Sequence, residues 1–157
     1  MSHQRINTIK KLLTEIEKNI PLKDKRNPSI TKTDIGWQLD HSLKAINGIS
    51  TILAKTDPKE YKKDFNFKRM VLFTLSFIPR GLGKAPKTVI PPDNITTEDL
   101  QAQLHSAKNH IDSLNQVHEK AYFNHHIFGT LNKAKTLRFL EVHTKHHLKI
   151  VNDILKQ

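Results

Sequence analysis

Apolar residues recur at helical spacing over four long segments of the chain. From about Gln4 to Ile20, the residues Ile6, Ile9, Leu12, Leu13 and Ile16 share one face of a 3.6-residue repeat, and Pro21 ends the run. A second helix is predicted from near Thr33 to Lys55, with Ala45, Ile46, Ile49 and Ile52 on its apolar side, and Asp57-Pro58 breaks it. The third opens on Thr96-Thr97-Glu98-Asp99, a hydroxyl cap followed by carboxylates that suit the helix dipole, and continues to about Glu119. The fourth follows Asn132 as its cap and runs toward Gln157, and a shorter helix fits Lys68 to Phe77. No stretch alternates at period two over a useful length. Four long helices with almost no strand predict an all-α fold, a four-helix bundle occupying residues 1–157 as a single domain. The second and third helices are joined by a long crossover, Ile78 to Asn94, rich in Pro and Gly. At this length, well beyond an ordinary connection, such a loop tends to carry function.

Chemistry enters with the fourth helix, which contains His143-Thr-Lys-His146-His147. At about 100° per residue, His143 and His147 lie roughly 40° apart and one turn removed, in the middle of the stripe formed by Thr136, Leu140, Ile150, Val151 and Ile154. Arg138, Glu141, Lys145 and Lys149 fall on the opposite side, and His146 sits at the stripe's edge. Two imidazoles facing a bundle interior are costly unless their nitrogens find partners, and burial favours their neutral forms. Neutral imidazoles at i and i+4 are what a divalent metal accepts from a helix. On the second helix His41 borders the Ala45–Ile49 stripe, while Asp40 and Lys44 point away from it. Two readings stand side by side here. The rings either hydrogen-bond to buried polar groups or face a wet groove, or they form a three-His metal site on facing helices.

The composition narrows the second reading. Ten His accompany no Cys, so a thiolate-ligated metal, an iron–sulfur cluster, a disulfide scaffold and a thiol nucleophile of the chain's own are excluded. Six of the ten His lie within the last forty residues.

These residues carry a resemblance. A His on the second helix, followed far downstream by His-x-x-x-His in the last long helix of a short helical chain, resembles the DinB-like superfamily of damage-inducible-protein-B-type four-helix bundles. The run His126-Ile-Phe-Gly-Thr-Leu-Asn132 before Phe139-Leu-Glu-Val-His143 is similar to the entry to that helix. Trp37-Gln-Leu-Asp-His41 together with Ile78-Pro-Arg-Gly-Leu-Gly-Lys-Ala-Pro-Lys87 resembles one uncharacterised subgroup, and the likeness extends over the whole chain. The resemblance implies a metal held by His41, His143 and His147, and a bundle that is often dimeric. Characterised members include hydrolases and thiol transferases that use low-molecular-weight thiols. The Pro-rich crossover departs from the superfamily's general pattern.

The expected function is therefore metal-dependent hydrolysis or thiol or group transfer on a small molecule, with a homodimer as the oligomer. Zn is the expected ion, since imidazole ligands suit it, and Ni, Fe and Mn share the chemistry. The alternatives are a non-catalytic metal-binding protein and a basic nucleic-acid-associated one. His125, His146, Trp37 and Arg80 are the expected supporting or substrate-facing residues. His125 and His126 precede the last helix where the chain could fold over the bundle's open end, although a solvated loop pair is the plainer expectation. Arg80-Gly-Leu-Gly-Lys84 lacks a nucleotide-binding pattern and is either a solvated turn or a loop that holds an acidic group near the metal. Tyr61, Phe65 and Phe67 read as packing residues.

Charge changes the picture little. Lys and Arg number 26 against 15 Asp and Glu, a formal net charge of +11, but they are scattered over all the helices rather than clustered on one face. Nucleic acid is therefore not the expected partner. The longest apolar stretch, Val71 to Pro79, is too short to span a bilayer, and the first twenty residues read as an amphipathic helix rather than a signal peptide. A cytoplasmic protein with no membrane partner is expected.

Overall fold

In the computed structural model, which describes residues 2–82 and 85–156, the chain is mostly helical with one small sheet. Five helices, α1 (Ser2–Asn19), α2 (Ile35–Lys55), α3 (Phe67–Leu75), α4 (Thr97–Ser113) and α5 (Lys133–Leu155), are joined by loops containing short 3-10 turns. Between α4 and α5 lies an antiparallel hairpin, β1 (Tyr122–His125) and β2 (Gly129–Asn132), with Tyr122 opposite Asn132 and His125 opposite Gly129.

Side-chain caps set the helix starts. Asp34 accepts from the Trp37 amide at 2.8 Å, Thr96 from Asp99 at 3.0 Å and Asn132 from Lys135 at 3.1 Å, each satisfying an N–H that the helix leaves free. The four long helices bury one apolar face each: Ile9, Leu13 and Ile16 of α1, Leu39, Leu43 and Ile46 of α2, Leu100, Leu104 and Ile111 of α4, and Leu140, Val151 and Ile154 of α5. Both α1 and α2 pack against α4 and α5. Each of these large side chains contributes about 1.5–3 kcal/mol by leaving water, which holds the helices together far more firmly than their intrinsic propensities do.

Three expectations are corrected. The third predicted helix ends at Ser113 rather than near Glu119, because Ser113 and Asn115 turn their side chains onto the carbonyls of His110 and Asp112 at 2.7 and 3.0 Å and compete with the helix. The strands were invisible because each is only four residues long, too short for alternation to register. Phe65 and Phe67 are not packing residues but are 78% and 65% exposed. Asp64 and Asn66, which alternate with them, turn inward instead, to Arg69 and Thr130 and to the Ile127 carbonyl.

Arg69 clamps this segment to the hairpin. Its guanidinium is buried and donates to the Asp64 carboxylate at 2.7 Å and to the carbonyls of Phe128 and Thr130 at 2.8 and 3.2 Å. The hairpin loop closes at Gly129, whose φ of +70° is the left-handed conformation that glycine adopts without strain. No described helix is long and apolar enough to cross a membrane.

Candidate metal centre

The apolar stripes of α2 and α5 face each other, and the histidines within them meet. His41, His143 and His147 each offer a ring nitrogen, and these atoms lie within 4.8 Å of one another. Ring centroids are 5.2 Å apart for His41 and His143, 4.7 Å for His41 and His147, and 4.6 Å for His143 and His147. His41 and His147 are buried, and His143 is half-buried against a cavity.

The partners of two of these rings fix their tautomers. A carbonyl oxygen can only accept, so His41 carries its proton on Nδ1 and donates it to Val89 at 2.8 Å. His147 Nδ1 lies 2.6 Å from Gln38 Oε1, and Gln38 donates through its Nε2 to Thr33 at 2.7 Å. With the amide oxygen facing His147, that ring too carries its proton on Nδ1. In both rings the lone pair is left on Nε2, which is how ligand imidazoles are oriented by the groups behind them. His143 has no such support, and its Nδ1 is buried without a hydrogen-bond partner. An orphaned buried nitrogen costs about 1–3 kcal/mol and calls for an explanation outside the chain's own contacts.

Burial pushes all three pKa values down. The effect is strongest at His143 and His147, where neighbouring imidazoles add to it. At His41 the bond to Val89 and the Asp40 carboxylate oppose it. The cluster is thus neutral at physiological pH, the form that binds a cation. Three neutral nitrogen donors from two helices, two of them oriented and one otherwise unpaired, could hold a divalent metal ion.

The cluster forms one end of a cavity of about 590 Å³. Trp37 walls it, stacked on His41 at 5.1 Å with the planes 16° apart. The crossover covers one side through Ile78, Pro79, Leu82, Pro86 and Val89, and the hairpin closes another through Phe123, His125 and Phe128. His125, His126 and His146 also line it, so the cavity gathers six of the chain's ten histidines. The expectation of a solvated His125–His126 loop pair is corrected for His125 alone, since His126 is exposed in the hairpin turn. His125 packs between Phe128 and Phe139, 4.7 Å from each, and burial pushes its pKa down to about 4. Its Nδ1 accepts from the backbone amides of Ile127 and Phe128 at 3.1 and 3.3 Å, so its single proton is on Nε2.

Other predicted residues are placed differently. Arg80 pairs with Asp153 at 2.7 Å and lines a neighbouring cavity instead of this one, while Lys84 lies outside the described residues. Glu141 is not on an outward face. It is buried, bonded to Arg5 and Lys145 at 2.6 Å each and to Arg138 at 3.2 Å. Burial alone would raise its pKa, but Lys145 and Arg138 more than offset this and hold the carboxyl below its usual range. Asp40 is buried on the α4 side, accepting from Gln103 at 2.6 Å. His110 bonds to Asn47 at 2.9 Å, and His3, His105 and His118 are exposed.

Gln38 and Val89 are the contributors that sequence reasoning passed over. Gln38 had a detectable signal, since Gln38, Ser42, Ala45 and Ile49 follow i, i+4, i+7, i+11 spacing and extend the inward stripe. Val89 acts through its carbonyl and had none.

A family model described as a protein of unknown function, DUF1569, matches residues 74–154, just over half of the chain. The matched segment contains His143 and His147 but not His41. No curated protein and no solved structure matches the chain.

Proposed function

The chain belongs to the DUF1569 family of proteins of unknown function, and on that premise we propose that it is a metal-dependent enzyme whose ion is held by His41, His143 and His147. The observation that carries this proposal is the meeting of three neutral imidazoles within 4.8 Å at the end of a cavity, two of them with Nε2 left free by their hydrogen bonds. Zn is the proposed ion, on the preference of imidazole nitrogen. When bound, a divalent ion there supplies Lewis-acid chemistry, polarising an electrophile and activating water or a thiol, which fits hydrolysis or group transfer on a small molecule. Val89 and Gln38 hold two of the rings in register, the crossover and hairpin restrict water, and His125 offers an Nε2–H to a substrate oxygen. Because the chain has no Cys, a thiol reaction would use a low-molecular-weight thiol as co-substrate.

The pairing of α1 and α2 across α4 and α5 supports a four-helix bundle of the DinB-like type, with the hairpin and α3 as additions. A single cytoplasmic domain acting as a homodimer completes the proposal. One observation favours metal binding without catalysis as the second reading. Among the described residues no carboxylate lines the cavity, so a general base would have to be a histidine.

The test is metal analysis of protein purified without chelator, compared with the His143→Ala/His147→Ala double variant. About one equivalent in the parent and almost none in the variant is expected. Equally negligible metal in both would sink the site. Turnover of thiol adducts and small esters by the loaded protein then separates enzyme from metal carrier.

A further inference from the structure

The chain contains 26 Lys and Arg and 15 Asp and Glu, yet among the described residues none of them lines the histidine cavity. Away from the cluster its walls are Ile49, Val89, Phe123 and Phe128, relieved by Thr88 and Asn124. At its mouth Ile52 and Leu82 are 46% and 38% exposed. Ile52 was expected on the buried stripe of its helix, and its exposure beside a cavity is the state a bound apolar group would relieve. Resting on the metal site proposed above, we propose that this cavity takes a small molecule with one metal-binding head and an uncharged, largely apolar body.

The two ends of such a ligand follow from different physics. Three imidazoles bring no charge to a divalent ion, and among the described residues no carboxylate lines the cavity to balance it, so the cluster end favours an anionic or strongly donating head. Beyond the cluster the conditions reverse. An ionised group on the body would leave water for walls whose described residues include no Lys, Arg, Asp or Glu, and burying an unpaired charge is among the costliest events in recognition. Apolar surface loses nothing there and gains by leaving water. The volume of about 590 Å³ lies within the range of pockets that enclose a small ligand. His125, with its Nε2–H, and Asn124 are the groups placed to orient a neutral oxygen of the body.

Two measurements on the full chain test this. In zinc-loaded protein, calorimetric titration compares acetohydroxamate, benzohydroxamate and 4-carboxybenzohydroxamate, which share one head. Benzohydroxamate is expected to bind at least tenfold more tightly than either of the others. Equal affinity for the carboxylated compound, or no gain from the ring, would overturn the proposal. Ile52→Asp, at a position exposed enough to tolerate the change, is expected to weaken benzohydroxamate about fivefold and leave acetohydroxamate unaltered. An identical effect on both ligands would count against the apolar body. The second measurement needs no added metal. Trp37, the chain's sole tryptophan, lies in the cavity wall, and its fluorescence reports occupancy. In protein as purified, uncharged 4-nitroanisole should quench saturably, while 4-nitrobenzenesulfonate should quench only by collision. Saturable quenching by the sulfonate at equal or lower concentration overturns the proposal. If zinc is not taken up, the metal site fails by itself, and the quenching result still decides whether the body is apolar.

Discussion

His147 donates its Nδ1 proton to Gln38 across 2.6 Å, joining the middle of α5 to the first turns of α2 behind the histidine cluster. The bond is buried, and Gln38 is itself held by Thr33. The orientation of one candidate ligand therefore depends on a chain of two hydrogen bonds rather than on packing alone.

Replacing Gln38 by Leu, close in size but unable to accept, should leave the helices intact while freeing His147 to rotate and change tautomer. Loss of such a supporting group lowers metal affinity by about 10–100-fold. A zinc competition titration against a chelator measures it, with far-UV circular dichroism as the check on folding. Unchanged affinity would remove Gln38 from the site.

Acid should destabilise the metal-free protein. Burial lowers the pKa values of His41, His143 and His147 first of all, and it lowers His125 to about 4. The unfolded chain then binds more protons than the folded one once pH falls below the ordinary histidine value of about 6.5. Stability is full above that pH and falls as pH drops from about 6.5 toward 4, by up to about 1.4 kcal/mol per pH unit for each excess proton bound. Urea denaturation midpoints at a series of pH values test the sign. A midpoint that rises on acidification would contradict it.

Gly129→Ala should cost about 1–3 kcal/mol, because φ is +70° there and an added Cβ would meet the Asp64 carboxylate. The same substitution at Gly48, where a Cβ meets nothing within 4 Å, should be neutral or stabilising in its helix. Thermal melts of the two variants side by side distinguish a local backbone requirement from a general sensitivity to mutation.

Glu141→Ala leaves Arg5, Arg138 and Lys145 without their shared carboxylate. Because Glu141 is buried while two of its partners are partly exposed, the loss should be about 1–3 kcal/mol, short of the full penalty for a wholly buried pair. Added salt should narrow the gap between parent and variant in denaturation curves.

The helices were legible because their signals are local: apolar spacing, and caps at Thr96 and Asn132 that the structure reproduces. The convergence of His41 with His143 and His147 was legible because all three lie within or beside apolar stripes, where an unpartnered imidazole is out of place. What the sequence concealed works through the backbone or through short elements. Val89 contributes a carbonyl, which any residue could supply, and Arg69 grips the hairpin through the carbonyls of Phe128 and Thr130. Glu141 looked solvent-facing by helical arithmetic because the wheel could not anticipate that α1 brings Arg5 over that side of α5. The burial of His125 was concealed with its hairpin, since without the turn at Gly129 nothing folds it back over the cavity.

The lack of carboxylates among the described residues that line the cavity also governs how an ion would arrive. A protein carrying +11 presents a repulsive field to any dication, and the described residues lining the cavity include no carboxylate to reverse it locally. Ion capture by the cluster would thus run uphill over the last Debye length, about 10 Å at 0.1 M salt. Its rate should climb with ionic strength, the reverse of the behaviour of sites that collect their metal with surface carboxylates. A small anion that neutralises the ion before delivery would approach faster than the bare cation, so the speed of loading would depend on what accompanies the metal in solution as much as on the three rings that receive it.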